Sequence, residues 1–597
     1  MPISRKPVLS LLEDTFSISK EHLNCCLWFQ HYYQLTPAIA LKTVIGAPLS
    51  YKEHPHKKEP FKQPNYTLTQ TQQEAITRID ESKEQHHYLL GVTGSGKTDI
   101  YASLCEKMHQ NNKQSLILVP EIALTSQIFN FFTERFGDAV SILHSAMTPA
   151  QKRKAKQRIA LGHSSVIIGP RSALFCPFLN LGLIIIDEEH EGSYKQNSHP
   201  RYLAHSVAKH LATCWKAKVV FGSATPSLDT LHHIDDNHII KLNERINKQP
   251  LPTITLVNSS LQEEQSGKML SKQSIKAIKA CLDQNKQVLL FINRRGYAPY
   301  LVCDSCQTPL VCEGCQLSWT YHSDRTLHCH RCQRKAPPIT TCPSCKKGQL
   351  LLQGLGTQKC DALCKILFPE ARIFRLDKDT AKTQKDSEAL LNGFRDHGDI
   401  LIGTQMLAKG LHLPKIELVV VLGTDFMLNF PDFRAAERSY QMIVQVAGRA
   451  GRSLAKNQAQ ILIETKQVEH PTLKPIQHYD LDSLFEDEKA YRKAFGYPPF
   501  STLINVLFSS PETKALLAYI EEWKRFLKSI PQELNNQLKI MGPKGCAIEK
   551  IRFHWRWHCL FHCEPSSTDQ LKAWLAKRPL APKNVRVFLD IDPTNLL

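Results

Sequence analysis

The chain has 597 residues, 42% of them hydrophobic, and carries 75 Lys and Arg against 56 Asp and Glu for a formal net charge of +19. That length accommodates several domains at roughly 150 residues each. No apolar run of about 18 residues is present, so neither a membrane-spanning helix nor a membrane partner is expected. The opening residues, MPISRKPVLSLLEDTF, contain no secretory signal pattern, so a cytoplasmic location is expected, where thiols stay reduced and the excess positive charge favours nucleic acid as a partner.

In chain order, KEHLNCCLWFQHYYQ reads as a helix and TPAIALKTVIG as a shorter one, followed by a polar, Pro- and Lys-containing linker over 48–66. His54 and His56 in that linker read as solvated loop residues. From about 66 to 245, helix-like segments alternate with the apolar runs HYLLGV, SLILVP, SVIIG, LGLIIID and KVVFG. Continuous apolar runs of this kind are buried parallel strands of an α/β sheet. A second set, QVLLFIN, ARIFRL, DILIGT, LVVVLG and AQILIE, predicts a second α/β domain, interrupted just after its first strand by a cysteine-rich insertion. The tail runs strand, helix, strand, strand, helix, strand, the split βαβ order of an α+β ferredoxin-like domain.

The chemistry concentrates at three places. GVTGSGKT, comprising Gly91, Val92, Thr93, Gly94, Ser95, Gly96, Lys97 and Thr98, follows a predicted strand and fits the phosphate-binding loop G-x-x-x-x-G-K-[ST]. Glycines let the backbone wrap the phosphates of ATP, Lys97 reaches the terminal phosphates, and Thr98 supplies a hydroxyl to Mg²⁺. LGLIIIDEEH ends a buried strand in Asp187, Glu188, Glu189 and His190; Asp187 suits a second Mg²⁺ contact, and Glu188 suits orienting and deprotonating an attacking water. QVAGRAGR presents Arg449 and Arg452 three residues apart, where they are expected to act as arginine fingers on transition-state charge.

These motifs, with GSATPS at 222–227, resemble helicase superfamily 2. The strings VPEIALTSQ (119–127), RSALF (171–175), IIDEEHEGSYKQ (185–196), FINRRGYAP (291–299), GTQMLAKG (403–410) and DFRAAER (432–438), with four inserted C-x-x-C pairs, are similar to the PriA (primosomal protein N′) family of replication-restart helicases. The resemblance implies two RecA-like P-loop lobes and an ATP-dependent 3′-to-5′ DNA helicase that recognises stalled or collapsed forks and initiates primosome assembly. It implies that Gln72 contacts adenine, that Gly222–Thr225 couples hydrolysis to lobe movement, and that Gly403, Thr404 and Gln405 link DNA to the nucleotide. Gln445 is implied to lie near the γ-phosphate. Implied partners are single-stranded and forked DNA, other primosome proteins, the replicative helicase-loading machinery and single-stranded-DNA-binding protein.

The cysteine pairs Cys303/Cys306, Cys312/Cys315, Cys329/Cys332 and Cys342/Cys345 supply eight thiolates, enough for two tetrahedral Zn²⁺ sites. Spacing favours nesting, because Cys315 and Cys329 are separated by a thirteen-residue hairpin, near zinc-ribbon spacing, which leaves Cys303/Cys306 to pair with Cys342/Cys345. The resemblance points the same way, and implies a module that assists strand separation and partner contact. His328 and His330 flank Cys329 as alternative ligands that four complete pairs make unnecessary. In the tail, RFHWRWH (552–558), read as one strand, places Arg552, His554 and Arg556 on a DNA-facing side and Phe553, Trp555 and Trp557 in the core.

The expected domains are therefore a shortened winged-helix-like segment and linker (1–60), helicase lobe 1 (61–245), lobe 2 (246–300 and 350–495), a double zinc ribbon (301–349) and a C-terminal α+β DNA-binding domain (496–597). Members of the family normally begin with a β-rich 3′-end-binding domain that this sequence lacks, so either that recognition is lost or the true start lies upstream. Pro170 stands in place of a Thr usual in the family, Gln358 in place of an acid, NSHPRY lacks a tryptophan, and GLHLP departs from G-x-x-F-P. These departures bear on DNA coupling and unwinding strength, not on phosphate chemistry. The alternative they leave open is a zinc-stabilised fork-binding scaffold with a weak motor.

Overall fold

The computed structural model describes residues 18–46, 67–120, 126–259, 269–292, 300–306, 310–313, 319–321, 326–328, 334–353, 356–377, 379–381, 383–404, 407, 413, 415–428, 432–450 and 459–596. The chain divides into two units, Met1–Pro226 with Ile234–Glu244, and Ser227–His233 with Arg245–Leu597. The linker over 48–66, with His54 and His56, lies outside the described residues.

The first unit opens with two helices, Lys20–Tyr32 and Pro37–Val44. The Ser19 side chain caps the first by accepting from the His22 N–H. Phe29 packs against Phe175 and Tyr202, and His22 Nε2 lies 2.7 Å from the Cys176 carbonyl oxygen, so this helix is fastened to the α/β body. The seven strands of that body are β1 (His86–Gly91), β2 (Gln114–Leu118), β3 (Val140–Ile142), β4 (Val166–Gly169), β5 (Leu181–Asp187), β6 (Lys218–Ser223) and β7 (Ile239–Leu242). All pair in parallel in the order β3-β4-β2-β5-β6-β1-β7. The five strands expected from apolar runs are the five inner ones, β4, β2, β5, β6 and β1, and β2 and β4 are buried along their whole length. The short edge strands β3 and β7 carry no such run, because an edge strand contacts fewer neighbours and needs fewer apolar residues.

The strand order decides where chemistry gathers. β6 lies between β5 and β1, and the register sets Asp187 opposite Gly222 and Leu90 opposite Ser223. The loops leaving β1, β5 and β6 therefore emerge side by side at the carboxyl edge, the place where open α/β sheets bind ligands.

The second unit has a six-stranded parallel sheet built from β8 (Thr253–Asn258) and β9 (Gln287–Ile292), followed beyond the cysteine-rich insertion by four more strands. The insertion is a small antiparallel sheet of β10 (Tyr300–Cys303), β11 (Thr320–Tyr321), β12 (Leu327–His328), β13 (Lys335–Ala336) and β14 (Leu350–Gln353). The larger sheet resumes with β15 (Ile373–Leu376), β16 (Ile400–Gly403), β17 (Ile416–Leu422) and β18 (Gln460–Thr465), in the order β15-β16-β9-β17-β18-β8. The insertion thus follows the second strand of this sheet, not the first as the apolar runs led us to expect. β8 went unread because it is a half-buried edge strand, alternating Thr with Ile, Leu and Val.

The C-terminal sheet contains β19 (Thr502–Ser510), β20 (Leu538–Ile551), β21 (His554–Cys563) and β22 (Arg586–Ile591), antiparallel in the order β20-β21-β19-β22. With helices Thr513–Leu527 and Thr568–Leu575 in the crossovers, this is the split βαβ arrangement expected. The RFHWRWH reading needs one correction. Ile551 pairs with His554, so Arg552 and Phe553 form a two-residue hairpin turn at φ 49° and 62° and are not strand residues. Trp555 and Trp557 are half-buried, so they do not form the core that alternation predicted.

One buried ion cluster organises the second unit. Arg492, with a fully buried side chain, donates to Glu437 (2.6 Å), Glu488 (2.9 Å) and Asp229 (3.1 Å). Arg434 pairs with Asp229 at 2.7 Å and also donates to the Pro593 carbonyl oxygen, while Arg438 pairs with Asp432 and reaches the Thr594 carbonyl oxygen. The guanidinium groups of Arg434 and Arg492 lie 4.1 and 5.2 Å from the Phe433 ring centroid. DFRAAER is therefore the hub joining residues 227–233 and the C-terminal segment to the helix Leu481–Phe495.

Candidate active site and metal centre

β1 delivers the chain to Gly91, and the next five residues turn back toward the helix Lys97–Gln110. Gly94 (φ 88°) and Gly96 (φ 79°) occupy the left-handed region, which glycine enters without strain. The helix N-terminus that follows presents free N–H groups and a partial positive charge, as a phosphate requires. Lys97 Nζ rests on the Gly91 carbonyl oxygen at 2.7 Å, and the buried Ser95 hydroxyl has no partner among the described residues. A hydroxyl without a partner among the described residues and a lysine resting on a backbone oxygen fit a triphosphate entering this loop. Gln72 is buried, completes a capping box with Thr69, and donates from Nε2 to the Gly96 carbonyl oxygen at 3.3 Å. It thus touches the phosphate loop.

Asp187 closes β5 with its Oδ1 accepting from the Tyr101 hydroxyl at 3.0 Å. Burial first, and then the neighbouring Glu188 charge, push its carboxyl up to about 6 against the pull of Lys97. A buried carboxylate facing a lysine and short of positive charge is a fitting ligand for Mg²⁺. Gly222 lies opposite Asp187, and any side chain there would collide with the Tyr101 hydroxyl.

Glu188 follows at φ 47°. Ser223 donates its hydroxyl to Glu188 Oε2 at 3.3 Å, and the Ser223 hydroxyl oxygen in turn accepts from the Thr225 N–H at 3.0 Å. His190 Nδ1 lies 2.8 Å from that hydroxyl oxygen, whose own hydrogen is committed to Glu188, so His190 donates to it. Tyr194 donates to the Asp187 carbonyl oxygen at 2.6 Å, and Tyr88 to Glu189 Oε1 at 2.8 Å. Burial and the adjacent carboxylates hold these phenols far above their usual range, so they remain donors.

Lys97, Thr98, Asp187 and Glu188 thus belong to one sheet edge of the first unit. Tyr101, Tyr194 and Ser223 complete the hydrogen-bonding around them; Tyr101 carried no motif signal, while Tyr194 and Ser223 lie within IIDEEHEGSYKQ and GSATPS without having been singled out for these contacts. Gly403, Thr404, Gln445 and Arg449 belong to the second unit: Gly403 ends β16, Thr404 is buried beside it, Gln445 is on the helix Ala435–Ala447, and Arg449 follows that helix. Gln405 and Arg452 lie outside the described residues.

In the cysteine-rich insertion, Cys303, Cys306, Cys342 and Cys345 converge with their sulfurs all within 4.8 Å of one another. The Cys303–Cys345 and Cys306–Cys342 separations are 3.6 and 3.7 Å. A tetrahedron with Zn–S bonds of about 2.3 Å has edges of about 3.8 Å, so the four thiols fit zinc closely. The Cys306 N–H points to Cys303 Sγ and the Gly348 N–H to Cys345 Sγ, each at 3.4 Å. The Gly348 and Lys347 N–H groups hold the Cys345 thiol below its ordinary range. Among the described residues of the insertion, Leu301, Leu310, Cys312, Trp319 and Leu327 form a small buried cluster. Of the other predicted ligands Cys312 is buried, and Cys315, Cys329 and Cys332 lie outside the described residues.

Comparison with known proteins agrees with this chemistry. Residues 69–234 match the DEAD/DEAH box helicase family model, residues 342–453 the helicase conserved C-terminal domain, and residues 493–594 the primosomal protein N C-terminal domain. The replication restart protein PriA of Bacillus subtilis (strain 168) is 36% identical over 581 residues, covering 94% of this chain and 71% of that protein. The protein of the same name from Chlamydia muridarum is 38% identical, covering 88% of this chain and 71% of its own length. That of Rickettsia conorii is 37% identical, covering 97% and 89%. The chain belongs to the family of the replication restart protein PriA and is an ATP-dependent DNA helicase.

Proposed function

We propose that this chain translocates 3′ to 5′ on DNA, acts at stalled or collapsed replication forks in the cytoplasm, and begins primosome assembly there. The observation that carries the motor is the convergence of the P-loop, Asp187, Glu188 and Ser223 on the carboxyl edge of β1, β5 and β6. Lys97 and the loop N–H groups hold the ATP phosphates, and Gln72 contacts the base. Thr98 and Asp187 would hold Mg²⁺, which would supply neutralisation of phosphate charge when bound. Glu188, steadied by Ser223, orients the water and takes its proton. Gln445, Arg449 and Arg452 are assigned to the γ-phosphate by their motif, and Gly403, Thr404 and Gln405 to coupling nucleotide with DNA.

The insertion holds two zinc ions, one on Cys303, Cys306, Cys342 and Cys345, the other on Cys312, Cys315, Cys329 and Cys332. The proposed partners are single-stranded and forked DNA, other primosome proteins, the helicase-loading machinery and single-stranded-DNA-binding protein. Strand displacement on forks bearing a single 3′ or 5′ arm tests the polarity, and displacement confined to the 3′-armed fork supports it. Lys97→Ala and Glu188→Gln are expected to abolish ATP hydrolysis while preserving DNA binding, and turnover in either would refute the site assignment. DNA-stimulated hydrolysis without displacement would favour the scaffold reading.

A further inference from the structure

The helicase family that matches the first unit is named for a box with alanine third, D-E-A-D or D-E-A-H, whereas this chain has Glu189 there. A carboxylate beside two others, in a buried turn, raises the question of what holds it. Glu189 is 1% exposed. Its Oε1 accepts from the Tyr88 hydroxyl at 2.8 Å, and its Oε2 lies 3.0 Å from His205 Nε2. His205 Nδ1 has no partner among the described residues. A bare lone pair there costs less than a buried, unanswered N–H, so the ring carries its hydrogen on Nε2 and donates it to Glu189.

The two donors come from different elements. Tyr88 is on β1, the strand that ends in the P-loop, and His205 is on the helix Ala204–Trp215. Phe221 stacks on both rings, at 18° to Tyr88 and 12° to His205, and Tyr194 meets His205 edge-on. The box thus locks both donors against rotation.

Glu188 is in the left-handed backbone region, which a glutamate keeps only when residues on both sides are fixed. On its N-terminal side, Tyr101 holds the Asp187 carboxylate and Tyr194 its carbonyl oxygen. On its C-terminal side the Glu189 N–H donates to the Gly222 carbonyl oxygen at 3.2 Å, and the Glu189 side chain makes the two bonds above.

We propose that Glu189 is a positioning residue for ATP hydrolysis: bonded to Tyr88 and His205, it bolts the turn that carries Glu188 to the strand that carries the P-loop. The inference rests on the reading of Glu188 as the group that orients the attacking water. Loss of the bolt leaves nucleotide binding in place, since no Glu189 atom belongs to the phosphate loop, and displaces the Glu188 carboxylate.

The test is steady-state, DNA-stimulated ATP hydrolysis by the full chain as Glu189→Leu, Glu189→Gln, Tyr88→Phe and, for reference, Glu188→Gln. Glu189→Leu removes both acceptors and is expected to lower kcat by about 10- to 100-fold with KM for ATP within about two-fold, the signature of a misplaced catalytic group. Glu189→Gln keeps an acceptor for the His205 Nε2–H, and its amide can donate to the Tyr88 hydroxyl oxygen, so it is expected to recover kcat to within about three-fold of wild type. Tyr88→Phe keeps the packing and strips one bond; should the leucine variant not fold, a fall in kcat of about three-fold or more at constant KM carries the proposal. Wild-type kcat in both Glu189→Leu and Tyr88→Phe overturns it, as does a loss expressed in KM alone, or a glutamine variant as slow as the leucine one. Activity in Glu188→Gln would instead overturn the underlying reading of Glu188.

Discussion

Replacing Arg492 with methionine strips the second unit of a guanidinium that serves three carboxylates. The side chain is fully buried and makes contacts of 2.6, 2.9 and 3.1 Å to Glu437, Glu488 and Asp229. Those carboxyl side chains are 4%, 10% and 32% exposed, so Glu437 and Glu488 lose their counter-charge away from water while Asp229 keeps Arg434 and some solvent. Removing one partner of a buried ion pair costs about 3–5 kcal/mol, and the partial exposure of Asp229 places its share at the weak end of such contacts. A destabilisation of about 3–5 kcal/mol is therefore expected, read by urea titration of the full chain as a lower midpoint for the transition of the second unit. The loss has a pH signature. Burial already raises the Glu488 carboxyl above its ordinary range, and without Arg492 the cluster takes up protons more readily when folded than when unfolded. A folded-state pKa above the unfolded value stabilises as pH falls through it, so the penalty is smaller at pH 5 than at pH 8. A penalty below about 1 kcal/mol, or one equal at the two pH values, would refute the account of this cluster as a charge hub.

Gly222→Ala drives a methyl group into the Tyr101 hydroxyl. It is expected to slow ATP hydrolysis and to cost about 1–3 kcal/mol, with Tyr101→Phe in the same chain recovering part of the thermal midpoint by removing the nearest clashing atom; no recovery at all would mean that the hydroxyl is not the main clash. Cys342→Ser removes one of the four converging thiols, and metal analysis is expected to find less zinc per chain, with strand displacement impaired more than ATP hydrolysis. Undiminished zinc would exclude this quartet as the site. His87 and His558 are both buried, and burial, reinforced by Lys218 and Lys544 respectively, lowers each to about 4. With folded pKa values below the unfolded one, their stabilising effect is complete above about pH 6.5 and is lost as pH falls toward 4. The thermal midpoint should drop over that window, and His558→Gln should flatten part of the drop; an unchanged profile in that variant would remove His558 from the explanation.

The parts of this molecule legible in its sequence are those whose physics is local. The P-loop is eight contiguous residues in which glycine supplies left-handed turns and the next residue starts a helix, so residue order and geometry coincide. The inner strands announced themselves because a strand buried on both faces must be apolar throughout. The edge strands β7 and β8 did not, and β8 moved the cysteine-rich insertion from after the first strand to after the second. The tail motif showed the same limit, since alternation describes a strand but does not reveal that Arg552 and Phe553 turn a hairpin whose register is set by β20 pairing with β21.

Tertiary structure alone decided which distant residues meet. Tyr88 finds Glu189 across 101 positions, Tyr101 finds Asp187 across 86, and Asp229 finds Arg492 across 263. The donors Tyr88, Tyr101 and Arg492 have no distinctive local pattern; a buried carboxylate takes whichever donor the fold brings within hydrogen-bonding distance, because leaving it unpaired costs more than any local preference can return. The sequence by itself therefore determined the family, the nucleotide loop and the cysteine pairs. The packing of β6 between β1 and β5 determined how Asp187 and Glu188 are held.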